Sequence, residues 1–201
     1  IAGLVKGASK GEGLGNQFLA NIRETDAIAH VVRCFADDNV VHGANRIDPK
    51  ADIETINTEL ILADLETVQK TKVRVEKDAR GNKKGAVEQL AAVEKILANL
   101  EAGKLANETD LDWEEENVKI IVREMSLLTM KPFLYIYNVA DINAKLPENL
   151  EKKHHVKLDI KIEEELIAMS KEEADEMDIQ SNIDSLIVEA YKLLGLITYF
   201  T

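Results

Sequence analysis

From Ala51 to about Arg80, side chains at Ile61, Leu65, Val68, Lys72, Val75 and Ala79 alternate spacings of four and three residues, and only Lys72 breaks the apolar run. That alternation is the seam of one long helix lying along another. Gly81-Asn82-Lys83-Lys84-Gly85 suits a turn, and the spacing then resumes at Ala86, Leu90, Val93, Leu97 and Leu100. Two long helices joined by five residues fold back on each other, so the pattern predicts an antiparallel coiled-coil hairpin.

The flanks of the hairpin follow a different period. Ala27 to Phe35 (AIAHVVRCF) and Phe133 to Tyr137 are short apolar runs of the kind found in strands covered on both faces, and Val156 to Ile160 gives a shorter third strand. Helices are expected at Asn16 to Glu24, from Asp110 to Leu128 with Asp112 as N-cap, from Glu163 to Asp178, and from Ser181 to Leu194 with Gly195 as the stop. The sum is an α/β fold with a mainly parallel, Rossmann-like sheet and a helical hairpin inserted into it. Ligands of such sheets bind beyond the carboxyl ends of the strands, which directs attention to the loops after Phe35, Tyr137 and Ile160.

The 201 residues are 45% apolar and 31% charged, enough to bury a core, and no apolar run approaches the eighteen or so residues of a membrane span. No membrane partner is expected. Cys34 is the single cysteine, so no intramolecular disulfide forms and a reducing, cytoplasmic setting is the natural reading. The net charge of -12 opposes uniform wrapping by nucleic acid, and DNA is not expected as a partner. The hairpin end is the exception: Lys70, Lys72, Arg74, Lys77, Arg80, Lys83 and Lys84 face only Glu76 and Asp78. With no aromatic between Val68 and Leu90 to stack on bases, any RNA contact there is to phosphate and is salt-sensitive. His30 and Cys34 share a strand face as packed residues, His154 and His155 lack a third metal ligand, and the acidic run from Glu163 reads as a solvated helix face. Trp113 and the methionines read as core fillers. Five of the ten glycines, Gly3, Gly7, Gly11, Gly13 and Gly15, crowd the first fifteen residues, which suits a loop whose backbone approaches a ligand.

That opening, IAGLVKGASKGEGLGNQFLANIRETD, resembles the second switch of the Obg-like GTPases, and the chain as a whole resembles the YchF or Obg-like ATPase branch. AIAHVVRCF, INTELILADLE at 56–66, LTMKPFLYIYN at 128–138 and YKLLGLITYFT at 191–201 carry the likeness along nearly the full length. The resemblance implies a partial P-loop NTPase: residues 1–50 and 128–197 as two parts of a G domain, 51–127 as the inserted coiled coil, and 198–201 as the start of a TGS domain. No G-x-x-x-x-G-K-[ST] occurs in the chain. The P-loop, the first switch and the true start are accordingly expected before Ile1, and without that phosphate cradle this stretch neither binds nucleotide tightly nor hydrolyses it.

What the resemblance implies for the intact protein is a translation-associated switch that binds the ribosome and hydrolyses ATP or GTP, with Mg²⁺ on the phosphates. Water attacks the γ-phosphate in line, and positioning and electrostatics supply most of the catalysis. Gly3 offers its N–H to the γ-phosphate, and Leu4 stands where many GTPases place a water-orienting glutamine. Asn138-Val139-Ala140-Asp141 occupies the base-reading position. Asn138 matches both N-K-x-D and the N-x-x-E of this branch, Val139 removes the lysine that stacks on the base, and Asp141 carries the carboxylate. The missing lysine favours ATP over GTP, with the main chain near Val139 as adenine contact. Asp159-Ile160-Lys161 replaces the small Ser-Ala-Lys of the last motif. Ala27 to Phe35 would pair with the strand leading into the P-loop, so an open edge and a tendency to aggregate are expected. Two other readings stay open: an RNA- or ribosome-binding helical hairpin with no nucleotide chemistry of its own, and a nucleotide-binding protein with a metabolic role.

Overall fold

The computed structural model describes residues 14–35, 47–170 and 179–197, with Glu173 and Tyr199. They divide into a helical unit, drawn from Ile1–Thr25 and Glu54–Lys131, and a sheet unit, drawn from Asp26–Ile53 and Pro132–Thr201. Among the described residues no helix is long and apolar enough to cross a membrane.

The helical unit holds α1 (Leu14–Arg23), all but the first residues of α2 (Pro49–Arg80), α3 (Ala86–Glu101) and α4 (Glu116–Met125), with 3₁₀ turns at Ala106–Glu108 and Leu128–Met130. The α2–α3 reversal needs left-handed backbone at Asn82 (φ 53°) and Gly85 (φ 78°). At Gly85 a Cβ would also lie 2.1 Å from Asn117 Oδ1, so glycine is required twice over. Val68 and Val75 of the first helix and Val93 and Ile96 of the second are fully shielded from solvent. Lys72, the break in the seam, bridges Glu76 at 3.7 Å and Glu94 of α3 at 3.2 Å, so its charge links the two helices at the edge of the seam.

The strict heptad expectation for α3 is corrected. Ala86, Ala92, Val93, Ile96 and Leu100 are buried, whereas Leu90 and Leu97 are only half-buried. A helix repeats every 3.6 residues and α4 also packs on α3, so the covered face is broader than a two-partner seam. The buried face of α4 is Val118, Ile121, Val122 and Met125, as its spacing predicts. Its cap is different: Glu115 accepts from Asn117 N at 3.1 Å, and Asp112 instead closes the preceding turn on Glu114 N at 3.0 Å. Trp113 is 47% exposed in that turn and is no core filler.

A polar contact is sealed into this unit. Asp64 of α2 has no exposed surface and accepts from Leu128 N (2.9 Å), Thr129 N (2.7 Å) and Thr129 Oγ1 (2.7 Å). Thr129 Oγ1 in turn accepts from Ala106 N at 3.1 Å. Burial pushes the Asp64 carboxyl above the usual carboxylate range, and the bonds from Thr129 and Leu128 pull it back in part.

The sheet unit contains β1 (Ile28–Arg33), β2 (Phe133–Asn138) and β3 (His155–Leu158), all parallel, in the order β1-β2-β3. Short helices α5 (Glu148–Glu151) and α6 (Ile160–Ala168) flank β3, and α7 (Ile183–Leu193) follows. Leu186, Ala190 and Leu193 of α7 cover Leu134, Ile136, Val156 and Leu158. The opposite face carries a row of rings, His30, Tyr135, Tyr137 and His155, with neighbouring centroids 5.0 to 6.3 Å apart. Tyr137 is fully buried and donates its hydroxyl to Leu150 O at 3.2 Å.

Three expectations are revised here. Strand β1 is six residues long and is not covered on both faces: Val31, in register with Ile136, is 56% exposed, and β1 is a sheet edge among the described residues. The acidic helix expected at Glu163 to Asp178 is interrupted: α6 ends at Ala168, Ser170 and Glu173 exchange hydrogen bonds in a capping pair, and residues 171, 172 and 174–178 lie outside the described residues. Finally, Glu163 does not belong to a solvated face. It is buried, and its carboxylate accepts from Ser181 Oγ and Asn182 N at 2.6 Å each, which anchors the approach to α7.

Candidate functional site

Strand β2 ends at Asn138, whose Oδ1 accepts from Ile160 N at 3.2 Å and so ties the strand end to the start of α6. Asp159 caps that helix, its Oδ1 accepting from Lys161 N and Ile162 N. Together they border a cleft of about 610 Å³, lined by Phe35, Asn138, Val139, Ala140, Asp159 to Ile162, Glu164 and Glu165. It lies at the carboxyl ends of β1, β2 and β3, where a parallel sheet offers a site. A second cleft of about 570 Å³ shares Ala140, Asp159 and Ile162 and is bordered also by Asp141 and Glu163.

Asn138 and Val139 thus meet in the first cleft, and Asp141 lies past Ala140 in the second. The Asp141 carboxylate is exposed, and its Oδ1 accepts from Asn143 N at 2.9 Å in an Asx turn. Val139 is 3% exposed and its N–H donates to Leu158 O at 2.9 Å. That N–H is committed to the sheet. Gly3 and Leu4 lie outside the described residues. Among the described residues no group of three His, Cys, Asp or Glu side chains is placed to hold a metal, so they form no protein cage for Mg²⁺.

His30 and Cys34 form no activated pair. Burial lowers His30 to about 4, more than the nearby Asp52 raises it, and raises the Cys34 thiol to about 11, so at neutral pH both are uncharged. His154 Nε2 meets Glu189 Oε2 at 2.8 Å and the ring of His155 lies 5.0 Å from Tyr137, which gives both structural partners.

At the hairpin end the seven basic residues divide. Lys72 and Arg74 reach carboxylates of other helices, Glu94 and Glu124, and Lys70, Arg80 and Lys83 pair with Glu66, Glu76 and Asp78. Lys83 holds the Asp78 carboxyl below its ordinary range. Lys77 and Lys84 are exposed and have no ion-pair partner among the described residues. Counted with Glu66, Glu94 and Glu124, the tip carries less uncompensated charge than its own sequence suggests.

No protein-family model matches the chain. The curated "Ribosome-binding ATPase YchF" of Escherichia coli O157:H7 is 44% identical to it over 215 residues, and that of Bacillus subtilis strain 168 is 44% identical over 218; each alignment takes in 100% of this chain. The solved structure of the Schizosaccharomyces pombe YchF GTPase superposes on all of the chain with a TM-score of 0.77 at 30% identity. The chain belongs to the YchF family. It spans 58 to 59% of the length of these curated relatives and 58% of the fission-yeast chain. Its sheet and helices match part of the P-loop GTPase fold.

Within that YchF frame, sequence reasoning found the Asn138 corner and the last motif from Asp159 to Leu166, and missed Phe35, which the fold brings to the cleft from just beyond β1. An acidic residue directly before a helical apolar run signals an N-cap, and by that rule Asp159 was readable. Glu163 and Asp64 carried no such signal, because their partners are 18 and 65 residues away.

Proposed function

We propose that this chain supplies the base-side wall of a nucleotide site and the helical lever of a translation-associated NTPase that acts as a ribosome-bound switch. The observation that carries the reading is the cleft at the carboxyl ends of the parallel strands, cornered by Asn138, in a chain of the YchF family. Asn138 Oδ1 is held by Ile160 N, which leaves its amide –NH₂ to act as the donor to the base. Val139 provides no cationic stem over the base, which supports ATP over GTP. Gly3 and Leu4 are assigned to the phosphate end, where Mg²⁺ accompanies the phosphates.

In the full-length protein that carries this chain, Asn138→Ala is expected to weaken ATP binding about tenfold or more, the loss of a buried directional hydrogen bond. Titration calorimetry with ATP and GTP reads this. Equal affinity in the variant, or no nucleotide binding by the parent protein, overturns the assignment.

The second reading, the hairpin end as an RNA-binding surface, is favoured by Lys77 and Lys84, which are exposed and have no ion-pair partner among the described residues. Lys70, Lys72, Arg74, Arg80 and Lys83 would first have to exchange carboxylate for phosphate. Ribosome binding that weakens steeply with salt, and drops further in Lys77→Glu/Lys84→Glu than in Lys70→Glu/Lys72→Glu, supports it. Equal loss in both pairs counts against it.

A further inference from the structure

The carboxyl end of α1 meets the root of the hairpin. Lys131 Nζ donates to Arg23 O at 3.1 Å and to Thr25 O just beyond the helix. A lysine there satisfies carbonyls that have no partner within the helix and sits at the negative end of its dipole. Arg23 itself reaches Thr67 Oγ1 on α2 at 3.4 Å, one turn from Asp64. Asp64 holds the backbone of Leu128 and Thr129, and α1 packs on that same Leu128–Met130 turn, with Leu19 buried. Three independent ties therefore converge on four residues of chain. All lie inside the helical unit, which groups α1 with the hairpin and not with the strand that follows it.

We propose that Lys131 is a positioning residue that fastens α1 to the base of the hairpin, so that the two move as one body and any shift of α1 is delivered to the basic tip. The lever is long: at about 1.5 Å per residue, Asp64 to Arg80 spans about 24 Å, so a tilt of about 10° at the root moves the tip about 4 Å. Only the last step, that nucleotide state is what shifts α1 through the glycine-rich segment before it, rests on the function proposed above.

The test uses Lys131→Met, with Lys131→Arg as the conservative rescue, in the full chain with Cys34→Ala. Spin labels at Asn21→Cys on α1 and Glu88→Cys on α3 are expected to give one narrow distance distribution in the parent and in Lys131→Arg, and a broadened one in Lys131→Met. Hydrogen exchange at Ile22 and Arg23 is expected to accelerate about tenfold in Lys131→Met while α3 stays protected. An unbroadened distribution together with unchanged exchange overturns the fastening. In the full-length protein, Lys131→Met is expected to leave ATP affinity within about twofold and to abolish the nucleotide-dependent change in ribosome affinity. If that change persists, the coupling is refuted while the nucleotide reading stands. If the parent binds no nucleotide, the nucleotide reading fails while the fastening is still decided by the labels.

Discussion

The helical unit closes on itself, and the sheet unit does not. Val68, Val75, Val93, Ile96 and Ile121 have no exposed surface, and the fully buried Asp64 carboxylate has three donors. By contrast, among the described residues of the sheet unit β1 leaves Val31 more than half exposed, and α7 buries no residue fully while it shows Ile187, Val188 and Tyr191 to solvent. A helical hairpin builds its core from contacts close in sequence, whereas a parallel sheet depends on strands that return from far away. The two units should therefore respond differently to injury.

The largest separation is expected from Asp64→Ala, which strands two backbone N–H groups and a hydroxyl in the interior and costs about 3 kcal/mol or more. Urea denaturation followed by circular dichroism measures it. Hydrogen exchange should show the loss in α2 to α4 and not in β2. Equal loss in both would mean that the units are one cooperative block, and the comparison would break.

Acid should act on the sheet unit. His30 goes from 6.5 in the unfolded chain to about 4 when folded. The unfolded state therefore takes up its proton first, and stability present above pH 6.5 is lost as pH falls toward 4, by about 2 to 3 kcal/mol. His30→Phe is expected to flatten that part of the pH profile of thermal melting. An unchanged slope would remove His30 from the account.

Gly85→Ala is next, at about 1 to 2 kcal/mol for a side chain in left-handed backbone against Asn117. Asn117→Ala should restore part of this in a melting experiment, and a neutral Gly85→Ala would show that the turn yields. Smallest is the Lys72–Glu94 pair, whose coupling in a double-mutant cycle is expected below about 1 kcal/mol because both groups are partly exposed.

How much of this was legible in the sequence follows the same divide. The buried face of α4 could be read from spacing alone, and so could the glycine turn, because period and backbone sign are local properties. The breadth of the α3 face could not, since it depends on α4 arriving as a third neighbour. The apolar run at Ala27 to Phe35 suggested burial on both faces, yet covering Val31 requires an element that sequence alone does not place. The Asn138 corner was visible as a motif. The bond from the Val139 amide to Leu158 was not, because it depends on strand register.

The aromatic residues are sorted in the same way. The single tryptophan, Trp113, stands partly exposed on the helical unit, and all four tyrosines, Tyr135, Tyr137, Tyr191 and Tyr199, belong to the sheet unit. Intrinsic fluorescence therefore carries two labels already installed by nature: indole emission tracks the fate of the helical unit, and phenol absorbance tracks the sheet, so an optical titration of the unaltered chain can time the two events separately.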